Sequence, residues 1–89
     1  MATDDFDGAV DATDAPADRP RDVLDVRQAP PPEPLTTTLE RLAALDGETV
    51  LVQVNDRAPQ HLYPKLEDRG WTYETLERDD DVVTIVWQS

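Results

Sequence analysis

Residues 49–54 read Thr-Val-Leu-Val-Gln-Val, a run in which four of six side chains are apolar and four are β-branched. β-Branched residues favour strands because their side chains pack well on a pleated surface. A nearly continuous apolar run is typical of a strand in the centre of a sheet. The run therefore predicts a central strand, and the other elements can be assigned outward from it.

Two elements precede the central strand. From Leu35 to Leu45, leucines recur at helical spacing, and Pro34 suits the first turn of a helix because its missing N–H is not needed there. Asp46-Gly47 predicts the end of this helix, since glycine adopts the left-handed conformation at little cost. Val23–Arg27 alternates apolar and charged side chains, which predicts a short strand.

A second helix and a hairpin follow the central strand. Asp56 predicts the N-cap of a helix that continues to about Arg69 and is closed by Gly70. Pro64 fits this helix poorly, because a proline in a helix interior kinks the helix or interrupts it. The runs 71–78 and 82–88 predict two strands joined by a turn at Asp79-Asp80-Asp81.

The order βαβαββ predicts an α+β fold, a two-layer α/β sandwich with a four-stranded mixed sheet. We expect both helices on one face of the sheet and the other face partly exposed to water. This domain would span residues 22–89. Residues 1–21 are mainly Asp, Ala, Thr and Pro, and this composition predicts a disordered acidic tail, since it offers little apolar surface to offset the entropy of ordering.

Charge narrows the classes of partner. Twenty acidic and eight basic residues give a net charge of −12 and a pI near 4.1, which disfavours nucleic acids and anionic membranes. A salt-loving source is the preferred explanation, with an ordinary acidic protein or an acidic partner-binding surface as the alternatives. The chain shows no apolar run long enough to span a membrane and no signal-like N-terminus, so we expect a cytoplasmic protein.

Several motifs resemble a known family. The strand Leu24-Asp25-Val26-Arg27, the loop Pro31-Pro32-Glu33-Pro34 and Asn55-Asp56 before Leu62-Tyr63 are similar, in order and spacing, to domain-of-unknown-function family 2249, over about residue 23 to the C-terminus. The layout also resembles TusA/SirA-like sulfur-carrier proteins. That resemblance implies a βαβαββ fold and a motif cysteine at the start of the first helix that would carry a persulfide. Here Pro31 stands at that position and the chain has no cysteine, so sulfur transfer by this chain alone is excluded.

Two groups of residues are candidate sites. The proline-rich loop can dock a partner because it is already stiff, although a rigid connector between strand and helix is the preferred explanation, since Pro34 suits the helix start in either case. Its residues are Pro30, Pro31, Pro32, Glu33 and Pro34. The predicted start of the second helix offers Asp56, Arg57 and His61 for an anion, a small ligand or a metal, against the alternative that these side chains are only solvated. The Asp79-Asp80-Asp81 turn is expected to be solvated rather than a cation site.

The sequence contains no recognisable catalytic constellation, and it predicts neither a resident metal nor a cofactor. We therefore expect a non-catalytic interaction or accessory module that binds a protein partner. By analogy with the resembled family, whose members occur beside hemerythrin-like domains, its setting would be redox, sulfur or nitrogen-oxide chemistry. The alternative is a small-ligand or metal-binding accessory protein that uses Asp56, Arg57 and His61. We expect a monomer or a weak dimer.

Overall fold

A single four-stranded sheet organises the protein. The structure is a computed structural model, and it describes residues 6–16, 18–30 and 33–88. In chain order the elements are α1 (Phe6–Asp11), β1 (Arg21–Asp25), α2 (Glu33–Ala44), β2 (Val50–Asn55), α3 (Leu62–Asp68), β3 (Thr72–Glu77) and β4 (Val82–Trp87). The predicted α+β class, the mixed sheet and the order βαβαββ from β1 onward are confirmed.

The central strand is β2, and all six of its residues are buried. It pairs in parallel with β1 on one side and antiparallel with β4 on the other, and β4 continues to β3, so the strand order is β1-β2-β4-β3. The prediction of a central strand over residues 49–54 is thus confirmed. Its apolar side chains on both faces require cover on both faces.

One face of the sheet is covered by α2 and α3, as the sequence predicted. The buried core there combines residues of both helices, both central strands and the segments that flank them: Leu24, Val26, Leu42, Leu51, Leu62, Leu66, Trp71 and Val86. Leucines that recur at helical spacing bring α2 against this face. We refer to it as the helix face.

The opposite face is covered by the N-terminal segment, and here the structure differs from the prediction of a disordered tail. α1 and the residues after it place Ala9, Val10 and Ala15 in one core with Val50, Val52, Val83, Ile85 and Trp87. Val10 is fully buried. These three apolar side chains offset the ordering entropy because they also cover five apolar side chains of the sheet. Residues 1–5 and Ala17 lie outside the described residues.

α3 begins later than predicted. Asp56 and Arg57 lie in a loop that continues to His61, and the first helical residue is Leu62. This start places Pro64 in the first helical turn, where a backbone N–H has no partner within the helix and its loss costs little. The predicted helix start at Asp56 is therefore wrong, because it would have placed Pro64 in the helix interior.

Gly47 and Gly70 were both predicted to end a helix in the left-handed conformation, and only one of them does so. Gly70 has φ +80, and its N–H and that of Trp71 donate to the carbonyls of Glu67 and Leu66, at 3.2 and 3.0 Å. This is the hydrogen-bond pattern of a Schellman cap, and the prediction is confirmed. Gly47 does not have a positive φ. The turn after α2 is instead held by Asp46, whose Oδ1 accepts bonds from the Glu48 N–H and the Thr49 hydroxyl, both at 3.0 Å.

Candidate functional site

The parallel strands β1 and β2 end at the same edge of the sheet, and the segments that leave them face each other across a cleft. Ala29, Pro34 and Leu35 form one wall, and residues 55–62 form the other. The volume is about 690 Å³, within the range of about 300–1,000 Å³ typical of small-molecule pockets. We call it the strand-end cleft.

The first wall is held from the core. Pro34 lies in the first turn of α2, and its carbonyl accepts a bond from the Thr38 hydroxyl at 2.7 Å. The Thr38 Oγ1 in turn accepts a bond from Gln53 Nε2 at 2.8 Å. Thr38 and Gln53 are both fully buried. A hydrogen-bonded chain therefore runs from the centre of β2 to the wall of the cleft.

The second wall is a loop closed by its own backbone. The Asn55 side-chain oxygen accepts a bond from the Asp56 N–H at 2.7 Å, the Gln60 N–H donates to the Ala58 carbonyl at 2.9 Å, and the Leu62 N–H donates to the Pro59 carbonyl at 2.9 Å. These bonds replace the helical turn that was predicted here.

Charged side chains lie on this loop at the rim of the cleft. The Arg57 side chain is 79% exposed and the Asp56 side chain 55% exposed, with Arg57 Nε 3.5 Å from Asp56 Oδ1. His61 is exposed and occupies the N-cap of α3 without a side-chain capping bond. A pair this exposed is screened by water and salt, so it contributes little to stability. Its charges remain accessible to a ligand.

The structure brings together residues from both candidate groups. Pro34 of the proline-rich loop and all three of Asp56, Arg57 and His61 line the cleft. Pro30 and Glu33 are exposed and do not line it. Pro31 and Pro32 lie outside the described residues. The fold therefore places one residue of the first candidate group beside all three residues of the second.

Several residues of the site were missed from the sequence. Ala29, Leu35 and Asn55 line the cleft, and Gln53 and Thr38 support its first wall. A signal was available for Gln53, since it is the one polar side chain inside an apolar strand and such a side chain requires a buried partner. The partner itself, Thr38, could not be identified without knowing which face of α2 meets β2.

An ionic cluster lies beside the cleft at the same sheet edge. Arg78 holds Asp81 through two bonds, at 2.6 and 2.8 Å, and Arg27 holds Asp25 through Nε and Nη2, at 3.0 and 2.7 Å. Arg27 also lies 3.6 Å from Asp81, which joins the end of β1 to the β3–β4 turn. The Asp81 side chain is only 4% exposed, so the expectation of a solvated turn fails for this one aspartate. Hydrogen bonds from Arg78 hold the pKa of Asp81 below its usual value.

The cleft thus has apolar walls, a rim with one arginine, one aspartate and one histidine, and a first wall that hydrogen bonds from buried side chains support. Over the described ranges, no group of three or more His, Asp or Glu side chains is arranged to hold a metal ion. No helix in the same ranges is long and apolar enough to cross a membrane. Such a site binds by shape and by a few polar contacts.

Comparison with known proteins gives one match. No curated protein and no solved structure matches the chain. A family model described as "Uncharacterized conserved protein (DUF2249)" matches residues 23–87. The match begins within β1 and ends with β4, so it includes both walls of the cleft and excludes α1. Since it covers well over half of the chain, the protein belongs to the DUF2249 family of uncharacterized conserved proteins.

Proposed function

We propose that this protein is a non-catalytic interaction module that binds a partner protein in the strand-end cleft. The observation that supports the proposal is the convergence in one cleft of Pro34 with Asp56, Arg57 and His61. The walls are held by backbone and core hydrogen bonds, so little entropy is lost when a partner docks. Binding requires only shape, apolar contact and a few charges at the rim.

Charge defines the kind of partner. The chain carries a net charge of −12, and a field of this sign accelerates encounter with basic surfaces and repels acidic ones. The contacting segment would insert an apolar side chain between Leu35 and Leu62, which line opposite walls. Basic residues around that segment would face the acidic surface, and an acidic group would face Arg57 or His61.

The setting follows from the resemblance to TusA-like proteins. In a scaffold of that kind, the start of the first helix would carry the reactive cysteine, and Pro31 stands there instead. The chain retains no thiol, so it would assist redox, sulfur or nitrogen-oxide chemistry by holding a partner rather than by carrying sulfur. A cytoplasmic location and a salt-loving source belong to the same proposal, and the acidic excess supports the second.

The proposal is tested by photo-crosslinking in the native cells. A photoreactive amino acid replaces Ala58 in the cleft wall in one variant, and Ala43 on the exposed side of α2 in a matched control. We expect a discrete crosslinked protein from position 58 that is absent at position 43 and weakened by Leu35→Asp. Equal crosslinking from the two positions, or none from position 58, would contradict the proposal.

A small ligand is the second candidate occupant, and the volume of the cleft favours it. An apolar, half-open cavity of about 690 Å³ with a few polar groups at its rim resembles a small-molecule pocket. Titration with zinc, copper or iron while following the His61 ring signals tests the metal-binding form of this alternative. His61 signals that stay unchanged would contradict metal binding at this site. A metal-induced shift that Asp56→Asn weakens would support it.

A further inference from the structure

The described residues between 6 and 20 form what we call the N-terminal strap. The strap crosses the sheet face opposite α2 and α3, and it lies outside the residues that the family model matches. Beneath it, five sheet side chains form an apolar surface, each at most 4% exposed: Val50, Val52, Val83, Ile85 and Trp87. The sheet face is therefore closed by a segment that the family domain itself does not include.

Small side chains hold the strap in the part of the chain that the structure describes. Among its described side chains, Val10 is the largest in the core, with Ala9 and Ala15 beside it. α1 has six residues, and a helix this short does not form by itself in water. Its helical structure consequently depends on its contact with the sheet.

Hydrogen bonds anchor the strap mainly at its C-terminal end. Arg19 donates to the Gln88 carbonyl at 2.6 Å, and the Pro20 carbonyl accepts a bond from the Val50 N–H at 2.9 Å. Nearer α1, the bond that reaches the body of the protein is from the Asp14 N–H to the Glu74 carboxylate at 3.1 Å. If the segment from α1 to Ala15 detached, these anchors at residues 19 and 20 would stay in place.

Charge opposes the closed position. Residues 1–20 contain six aspartates and one arginine, a net charge of −5, and residues 21–89 contain fourteen acidic and seven basic residues, a net charge of −7. Glu74, whose carboxylate accepts the bond from the Asp14 backbone N–H, places one of the negative charges of the sheet directly where the strap meets β3. Like charges repel over a Debye length of about 3 Å in 1 M salt but about 30 Å in 0.01 M salt.

We propose that the N-terminal strap is an ionic-strength-dependent cover. High salt screens the repulsion and strengthens apolar burial, so the strap closes over Val52, Ile85 and Trp87; low salt releases residues 6–15 and exposes this face, while α2, α3 and the strand-end cleft keep their structure. This role of the N-terminal strap is separate from binding at the strand-end cleft, because the strap controls the exposure of the opposite face of the sheet.

Hydrogen exchange of the unmodified chain tests the cover directly. On transfer from about 1 M to about 0.01 M salt, we expect exchange at residues 10–13 to become at least about tenfold faster while β2 stays protected. Protection of the strap at both salt concentrations would overturn the proposal. Simultaneous loss of protection in the strap and β2 would overturn it as well, because this indicates global unfolding.

Tryptophan emission gives a second test. The chain has two tryptophans; Trp87 lies under the strap and Trp71 on the helix face. In a Trp71→Phe chain, we expect acrylamide quenching of Trp87 to increase at low salt, and in a Trp87→Phe chain we expect quenching of Trp71 to stay constant. Glu74→Gln should reduce the salt dependence of Trp87, and Val10→Asp should expose Trp87 at every salt concentration. A salt response that is equal at the two tryptophans would contradict the cover.

Discussion

At the scale of single residues, the backbone conformation at position 70 is what requires a glycine. It has φ +80 and an added Cβ would meet no atom within 4 Å, so the requirement is conformational rather than steric crowding. We predict that Gly70→Ala lowers the free energy of unfolding by about 1–2 kcal/mol. Gly8→Ala, also in open space but within α1, should raise it by about 0.5–1 kcal/mol. Denaturant unfolding of both variants measures these two changes in the free energy of unfolding. Equal changes in the two variants would contradict the prediction.

Asp81 carries the clearest residue-scale dependence on pH. Hydrogen bonds from Arg78 lower its pKa below the usual 3.8, so the folded state releases this proton more readily than the unfolded state. The resulting stability is present above about pH 3.8 and is lost as the pH falls through the lower folded-state pKa.

We therefore predict that Asp81→Asn lowers the free energy of unfolding by about 1–3 kcal/mol at neutral pH, and that the gap to the unmodified protein narrows in acid. Asp80→Asn, in the same turn but exposed, is the control and should change stability little. Unfolding curves at several pH values measure both. A gap for Asp81→Asn that is independent of pH would contradict the role of its carboxylate.

The buried pair of Gln53 and Thr38 tests the support of the cleft. Thr38→Val leaves the Gln53 Nε2 buried without its partner, and we predict a loss of about 1–3 kcal/mol. Adding Gln53→Met removes the amide as well, including an Oε1 that has no partner among the described residues. The double variant should be more stable than Thr38→Val alone. Additive losses in this double-mutant cycle would contradict the pairing.

Residue-scale features were only partly predictable from the sequence. Gly70 was identified correctly because glycine after an apolar helix is a strong local signal. Gly47 gave the same signal and was wrong, since Asp46 stabilises that turn by side-chain hydrogen bonds that make a positive φ unnecessary. The burial of Asp81 could not be foreseen, because Arg27 reaches it from the turn after β1, which is distant in sequence.

At the scale of elements, two stacked tyrosines join α3 to β3. The rings of Tyr63 and Tyr73 are parallel, with centroids 4.7 Å apart. The Tyr73 hydroxyl donates to Glu67 at 2.6 Å, and this bond raises the pKa of Tyr73 to about 12. Because the neutral phenol is the favoured form, the contact contributes stability below pH 10.0 that is lost as the pH rises through about 12.

We predict that Glu67→Gln lowers the pKa of Tyr73 toward its usual 10.0. Tyrosinate absorbance measured in a Tyr63→Phe chain reports Tyr73 alone, since the protein has two tyrosines. Glu77→Gln, at the exposed end of β3, removes an equal charge without touching the phenol and serves as control. A pKa that stays near 12 in Glu67→Gln would show that the hydrogen bond is not its cause.

The elements themselves were predicted well where a periodic pattern was long. The β2 run and the leucines of α2 are strong signals, and both elements lie where expected. The start of α3 was misplaced because Asp56 is a good N-cap residue by type, whereas Pro64 limits how far the helix can extend toward the N-terminus. This difference matters for function, since residues 56–61 form a wall of the strand-end cleft only because they are not helical.

At the scale of the whole molecule, the order of the predicted elements indicated the right class of fold, whereas composition predicted disorder for an N-terminal segment in which the structure places α1. Residues 6–15 contain too few apolar side chains to fold alone, and the composition-based inference considers only the segment itself. What orders them is a surface formed by β2 and β4 elsewhere in the chain. The cleft could not be predicted from any one segment for the same reason, because it forms only where the segments that follow two parallel strands meet.

The net charge of −12 of the whole molecule favours a basic partner for the strand-end cleft. Once photo-crosslinking at position 58 has identified that partner, titrating it into the isotope-labelled full chain and following amide chemical shifts tests binding at the cleft most directly. Our account predicts that the largest shifts lie in residues 29, 35, 55–58 and 60–62, which line the cleft and carry an amide N–H, and that Leu35→Asp abolishes them. Large shifts confined to β3 or the N-terminal strap, with the cleft resonances unmoved, would contradict it.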